Sequence, residues 1–397
     1  MTRLEKLIQE LCPDGVKYLP IPELFITRNG YTPSKANNEF WDNGTIPWFR
    51  MENIRENGRI LTTATQYVSK KAVKGKLFPA DSIIIATSAT IGEHALIKVP
   101  SLANQRFTYL TLKDEFKDCV DMMFVFYYCF RLDEYCKSHL NQGNFASVDM
   151  KQFAAFKFPV PPLPVQREIV RILDNFTWLT AELTAELTAR KKQYAYYRDK
   201  LLTFGDARVG VTSDVIRRTL GEVCKISAGG DAPKDSMSKQ KTEKYSVPII
   251  SNGIGENALY GYTDAPKVEE PAVTVAARGT IGYAEYRDYP FYPIIRLLTA
   301  IPKDSTVVNT KYLYYCLQGK QYSVPMGGIP QLTAPELKKV EIPIPSLDVQ
   351  NRIVQVLDNF DAICTDLFSG LPAEIEARQK QYEYYRDKLL TFKEKTS

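Results

Sequence analysis

QYAYYRDKLLTF, residues Gln193–Phe204, returns as QYEYYRDKLLTF at Gln381–Phe392, 188 positions later in a chain of 397 residues and with eleven of twelve letters unchanged. A repeat spaced by nearly half the chain puts one copy of the same thing in each half. Working back, Val165-Gln166, Ile169-Val170 and Leu173-Asp174-Asn175-Phe176 answer to Val349-Gln350, Ile353-Val354 and Leu357-Asp358-Asn359-Phe360, now 184 positions apart. The second copy has therefore gained four residues, one helical turn, where TAELTAELTARK stands opposite TDLFSGLPAEIEARQ.

The apolar positions of the first copy are Val165, Ile169, Ile172, Phe176, Leu179, Leu183, Leu187, Tyr194, Tyr197, Leu201 and Phe204, with Arg190 in line. Their steps alternate three and four, the seam of one helix packed along another. Two consecutive fours at TAEL form a stutter, which unwinds a supercoil locally without ending the helix. The pattern predicts a helix of about 40 residues, about 60 Å long, which needs a partner. Val349, Ile353, Val356, Phe360, Ile363, Leu367, Ile375, Arg378, Tyr382, Tyr385, Leu389 and Phe392 supply it. Gly370 and Pro372 are expected to kink or break this second copy at its extra turn, Pro372 being tolerated if it opens a new helical segment.

Between the helical copies lie two mixed blocks. In the first, Ser82–Thr87 and Phe107–Leu112 read as strands and Asp121–His139 as a helix; in the second, Pro271–Ala277 and Tyr292–Ala300 read as strands and Lys311–Tyr322 as a helix. Short words tie the blocks together: Ala89-Thr90-Ile91-Gly92 with Gly279-Thr280-Ile281-Gly282, Gly30-x-Thr32-Pro33 with Gly230-x-Ala232-Pro233, Gly143 with Gly327, and Phe158-Pro159-Val160-Pro161 with Ile342-Pro343-Ile344-Pro345. The fold expected is α/β: two globular domains joined by two long antiparallel helices that form a coiled coil, with internal pseudo-twofold symmetry. The domains are placed at 1–160 and 206–344, and the helical regions at 161–205 and 345–397. Leu4-Glu5-Lys6-Leu7-Ile8 resembles the end of the repeated helix. It reads either as a third, truncated copy beside the C-terminal helix or as an unrelated starting helix.

Composition narrows the function. Hydrophobic residues make up 44% and charged residues 24%, as in a soluble globular protein, and the net charge is only +5, so any polyanion-binding surface must be local. Seven scattered cysteines without a C-x-x-C pair read as reduced thiols of a cytoplasmic protein. With only His94 and His139 present, a His-rich metal site or a Ser-His-Asp triad is disfavoured. No G-x-x-x-x-G-K-[ST] loop, methyltransferase motif or Gly-rich cofactor turn occurs, and Glu115-Phe116-Lys117 and Glu336-Leu337-Lys338 lack the upstream acid a metal-dependent nuclease needs. The longest apolar run, Met122–Phe130, is too short to span a membrane.

The stronger signal is for nucleic acid. Lys70, Lys71, Lys74 and Lys76 cluster in the first block, with Lys35 nearby in sequence, and Lys234, Lys239, Lys241 and Lys244 are grouped more loosely in the second. Lysines on loops suit phosphate contacts. Arg50, Arg55, Arg59, Arg106, Arg278 and Arg287 carry the planar fork that reads guanine, and Asn53, Asn104, Gln105, Asn252, Asn257 and Gln331 could read adenine. On the helices, Tyr196 and Tyr384 fall off the seam beside Arg198 and Arg386, a pairing suited to a protein interface. Gln166 and Gln350, at the helix starts, join them as candidates for subunit contact.

The duplicated QYxYYRDKLLTF, the paired starts Pro162–Gln166 and Ser346–Gln350, TAELTAEL and GLPAEIEARQKQ together resemble the specificity subunit of type I restriction-modification systems, TAELTAEL and GLPAEI its IC-like subclass. Within the first domain, Gly30-Tyr31-Thr32-Pro33-Ser34-Lys35 and Ile46-Pro47-Trp48 look like recurring target-recognition words of the family; the second domain departs from them. The resemblance implies a non-catalytic subunit that reads an asymmetric, two-part target in double-stranded DNA. It implies docking of two methylation subunits and, through them, two restriction subunits. S-adenosylmethionine, ATP and Mg would then belong to those partners, with no cofactor in this chain. The reading from another class is a coiled-coil scaffold whose α/β domains bind protein or carbohydrate, and salt-sensitive, sequence-dependent DNA binding separates the two.

Overall fold

The computed structural model describes residues 2–141, 146–204, 215–322, 330–366 and 369–395; Gly143, Gly327, Leu367 and the boundary placed at 205/206 lie outside them. The chain divides into two compact units, Met1–Glu182 with Glu376–Ser397, and Leu183–Ile375.

In the first unit the strand Ser82–Ala86 is buried along its whole length, so its neighbours in sequence face opposite cores. Ile83 and Ile85 join Leu96, Leu110 and Leu112 against the helix Met122–Ser138, while Ile84 and Ala86 join Ala95, Ile97, Phe107 and Tyr109 on the other side. This is the period of two acting on a strand apolar on both faces. The sheet runs in the order Phe25–Asn29, Phe107–Leu112, Ser82–Ala86, His94–Ile97, Ile60–Leu61, and a three-stranded sheet of Tyr67–Val68, Ile46–Phe49 and Leu102–Ala103 supplies the second layer. Lys17–Pro20 pairs antiparallel with Lys157–Val160, closing the domain where the long helix begins.

The second unit repeats this plan. Its central sheet runs Cys224–Ala228, Leu298–Pro302, Ala272–Val275, Ala284–Arg287, its second sheet Met237–Ser238, Leu259–Thr263, Val247–Ile250, Tyr292–Pro293, and its closing pair is Ile216–Thr219 with Glu341–Ile344. Two expectations change here. The strand expected over Tyr292–Ala300 is cut in two, because Ile295 and Arg296 sit at φ +52° and +59° in a turn that no β-branched residue favours. The helix expected over Lys311–Tyr322 spans only Thr310–Leu317, ended by an extended Gln318 and by Gly319 at φ +73°. A third is a matter of register. The backbone N–H of Gly30 donates to Phe107 and that of Gly229 to Leu297, so the structural counterpart of Gly30 is Gly229, one residue before the match read from sequence. A Cβ at either glycine would lie within 3 Å of the facing backbone, at Asn104 O and Pro293 O, which explains the glycine.

The first helical copy is one continuous helix, Leu163–Thr203, of 41 residues. The second is broken as expected: Leu347–Thr365 ends before Gly370, and Leu371–Leu389 starts with Pro372 in its first turn, where no intrahelical N–H is lost. In the first unit Phe176 stacks on Tyr385 with ring centroids 5.5 Å apart, and in the second Tyr197 stacks on Phe360 at 5.8 Å. In the second unit the charges around Tyr194 include Asp361 and those around Cys364 include Lys191 and Arg190, so the pairing there is antiparallel. The predicted seam holds only in part. Leu173, absent from it, is fully buried with Val165 and Ile169, whereas Leu179 and Tyr197 stay more than a third exposed. Steps of four at the helix start face the first globular domain, and at the far end Tyr194, Leu201 and Phe204 pack against the cluster of Tyr312, Tyr315, Ile353 and Leu357.

The N-terminal helix Arg3–Leu11 packs Leu4, Leu7 and Ile8 into the cluster that holds Leu389, Leu390 and Phe392. Behind it Val16 bridges Glu394, so both chain ends meet in the first unit. All seven cysteines are free of disulfides, and no helix among the described residues is long and apolar enough to cross a membrane.

Candidate nucleic-acid interface

Each unit gathers polar residues on one set of loops at the end of its sheets. In the first unit the turn after Leu102–Ala103 is central. The N–H of Asn104 donates to Phe49 O at 3.0 Å, that of Thr87 to Arg106 O at 2.9 Å and that of Tyr31 to Ala103 O at 2.8 Å, bringing Arg50, Ser88, Thr32, Gln105 and Arg106 together. Thr32 Oγ1 donates to Gln105 Oε1, and Asn104 Oδ1 accepts from the Arg106 N–H at 3.0 Å. Arg106 projects exposed from this rim. The lysine cluster adjoins it through Tyr31, whose hydroxyl donates to Ala72 O at 3.1 Å and accepts from the Lys74 N–H at 2.7 Å. Lys70, Lys71, Lys74 and Lys76 are all exposed, Lys71 pairing with Glu39 at 3.0 Å, and so are Lys35 and Arg55.

The second unit builds the same rim from other residues. Ile294 N–H donates to Ile250 O and Ile295 N–H to Gly230 O, both at 2.9 Å. Asn252 ties the loops: its Nδ2 donates to Ile295 O at 2.6 Å, its Oδ1 accepts from the Ala277 N–H at 2.7 Å, and its carbonyl accepts from Thr280 Oγ1 at 2.8 Å. Arg278 donates from Nε and Nη2 to Gln331 Oε1 at 3.0 and 2.7 Å. Lys234 and Ile295 line one open hollow of about 750 Å³ beside the rim. Lys239 lies 3.6 Å above the Tyr260 ring and donates to its carbonyl, Lys244 lies 5.1 Å over Tyr245, and Lys241 and Asn257 are exposed. Arg296 was missed in sequence; its place matches Arg106, and that signal is hidden because the turn itself differs.

Several residues picked from sequence have structural work instead. Asn53 is buried, accepts from the Arg50 N–H at 2.8 Å and donates to Thr65 Oγ1 at 3.1 Å, capping its short helix. The Arg50 guanidinium stays partly open, 3.5 Å from Glu52 and 5.8 Å over Trp48. Arg59 donates from Nη1 to His94 O at 3.1 Å, lies 3.7 Å from Asp133 through the same nitrogen and sits over Phe130, so that nitrogen is committed internally. Arg287 is buried, bonded to Thr274, Glu285 and Tyr289. Asn252 uses one donor and one acceptor of its amide to tie the loops. These types look alike in sequence whether they face a groove or close a turn.

The helix candidates divide likewise. Gln166 is fully buried, accepting the Asp121 N–H at 2.8 Å and donating to Cys119 O at 2.8 Å and Pro161 O at 2.6 Å. Gln350 does the same, accepting the Asn309 N–H at 2.9 Å and donating to Val307 O at 2.8 Å and Pro345 O at 2.9 Å. Neither side chain is offered to a partner; both pin a helix start to its own domain. Beside them, Tyr127 donates to Asp174 and Tyr315 to Asp358, and burial first, then the facing carboxylate, pushes both phenols far above their usual range. Arg198 is largely covered beside Gly319, and Arg386 lies 4.7 Å over Phe130, each bonded to the next aspartate. Tyr196 and Tyr384 are 61% and 62% exposed, in duplicate surroundings beside Lys200 and Lys388. Trp178 is equally exposed and went unnoticed, because the second copy has Ala362 in its place.

Two families of observation now meet: a duplicated scaffold carrying two different polar rims, and similarity to known proteins. The family model described as the type I restriction modification DNA specificity domain matches residues 13–190 and 212–377. The chain is 43% identical over 385 residues to the EcoprrI specificity subunit of Escherichia coli, covering 92% of each, and 33% identical over 285 residues to the EcoR124I/EcoR124II specificity subunit of Escherichia coli, covering 64% of this chain and 68% of that one. Among solved structures, a chain from a study of complex assembly in the type I restriction-modification system aligns with TM-score 0.67 over 96% of this chain and 98% of that one at 18% identity. The system's S subunit from M. genitalium aligns with TM-score 0.50 over 94% and 95% at 15% identity. With both halves of the chain matched and the fold shared, the protein belongs to the type I restriction-modification DNA specificity family.

Proposed function

We propose that each polar rim reads one half of an asymmetric, two-part site in double-stranded DNA. The observation that carries this is the repetition of one backbone frame with different side chains on it: Arg50, Ser88, Gln105 and Arg106 in one unit, Arg278, Arg296 and Gln331 in the other. Two readers of one shape and unlike chemistry suit two unlike half-sites. The exposed lysines at 35, 70, 71, 74 and 76, and at 234, 239, 241 and 244, supply phosphate contacts that set register without reading sequence.

The helices carry the assembly. Tyr196 and Tyr384, presented identically, are the candidate contacts for two methylation subunits, through which two restriction subunits are recruited. S-adenosylmethionine, ATP and Mg act in those partners, and the complex works in the cytoplasm. TAELTAEL and GLPAEI favour the IC-like subclass. The test is binding of the chain, assembled with its methylation subunits, to duplexes carrying and lacking the methylated motif at several salt concentrations. Sequence-dependent binding that weakens steeply with salt is expected; binding without sequence preference would overturn the reading.

A further inference from the structure

Resting on that DNA-reading role, we propose that Arg278, oriented by Gln331, is the residue of the second unit that reads guanine in the major groove. Gln331 Oε1 takes the Nε and one Nη2 hydrogen, at 3.0 and 2.7 Å. That fixes the side edge of a planar group and leaves the end edge, one Nη1 hydrogen beside the second Nη2 hydrogen, pointing away from it. Among the described residues no further partner holds this edge. Two parallel donors on a rigid plane match the O6 and N7 acceptors of guanine, whereas adenine offers N7 beside a donor. Because its carbonyl oxygen is used by Arg278, Gln331 presents only its amide donors outward, so the pair is a donor surface throughout.

The frame keeps this edge in place. Leu332 N–H donates to Ala277 O at 2.9 Å, setting Gln331 and Arg278 side by side on paired backbone, and Asn252 holds Ala277 and Thr280 on either flank. Phosphate contact suits long side chains on mobile loops; a clamped guanidinium at a strand end suits a base edge. The other arginine of this sheet, Arg287, is buried in its own network. In the first unit Val148 N–H donates to Thr87 O at 2.9 Å, so the matching positions are Ser88 and Ser147, which face each other across a β-bridge. One frame thus holds a guanidinium fork in one unit and two hydroxyls in the other.

The test uses the chain assembled with its methylation subunits, after the wild-type methylated motif has been mapped. Duplexes carrying 7-deazaguanine, which lacks N7, at each guanine of the half-site read by the second unit are competed against the natural duplex. One position should cost wild-type about 10- to 100-fold. Arg278→Lys, which keeps charge but not the fork, should lose that discrimination, and Gln331→Ala should lower it at the same position, with the other half-site unchanged in both as the internal control of folding. Full discrimination by Arg278→Lys, a uniform loss across all sequences with a shallower salt slope, or a half-site without guanine overturns the proposal. A wild-type complex with no sequence preference instead overturns the DNA-reading role beneath it.

Discussion

Replacing Gln166 with alanine leaves the Pro161 carbonyl buried, and the Asp121 N–H and Cys119 carbonyl partly buried, without their partner. Such groups cost about 1–3 kcal/mol each when unpaired, so partial relaxation leaves about 3 kcal/mol, seen as a fall in Tm of several degrees; Gln350→Ala should match it in the other unit. A destabilisation below about 0.5 kcal/mol in both would contradict the pinning role. Gln166→Glu keeps the acceptor but sets a carboxylate against two carbonyl oxygens. Its folded-state pKa is then raised, so its stability is retained below the unfolded carboxyl value near 4.3 and lost as pH rises through the folded value. Thermal melts of this variant from pH 4 to 8 should show stability falling with pH relative to wild type. The duplication of Gln166 and Gln350 was plain in the sequence, but repetition reveals that a residue is needed, not whether it faces inward. Arg287 and Asn53 are the same lesson: a fork or an amide is legible as a type, and its partners are set by tertiary contacts no local pattern carries.

Helix Leu163–Thr203 was legible almost to its ends because one periodic signal runs for its whole length. The strand over Tyr292–Ala300 was not, since β-branched residues promised continuity and the turn at Ile295 and Arg296 is enforced by bonds to Gly229, Gly230 and Asn252. Within the long helix TAELTAEL makes two consecutive tetrapeptides, and a third would add about 6 Å while turning the seam by only about 40°. At about 3.4 Å per base pair, the unread gap of the methylated motif should lengthen by one to two base pairs with both half-sites unchanged. Inserting two residues turns the seam by about 200° and should abolish assembly. Mapping the motif of a strain carrying the third tetrapeptide checks this; an unchanged gap at full activity would contradict it.

For the molecule as a whole, the proposed function requires two readers that share a frame and act independently. The repeated architecture was readable from two nearly identical helices around two divergent blocks. The identity of each reader was not, because the rims are assembled from loops far apart in sequence, such as Gly30, Ser88, Asn104 and Ser147. The most direct measurement replaces residues 16–160 with the matching block of a related specificity subunit and maps the methylated motif when the chimera works with the same methylation subunits. One half of the motif is expected to change to that of the donor while the other half and the gap are retained. A change in both halves, or in neither with methylation intact, would contradict it.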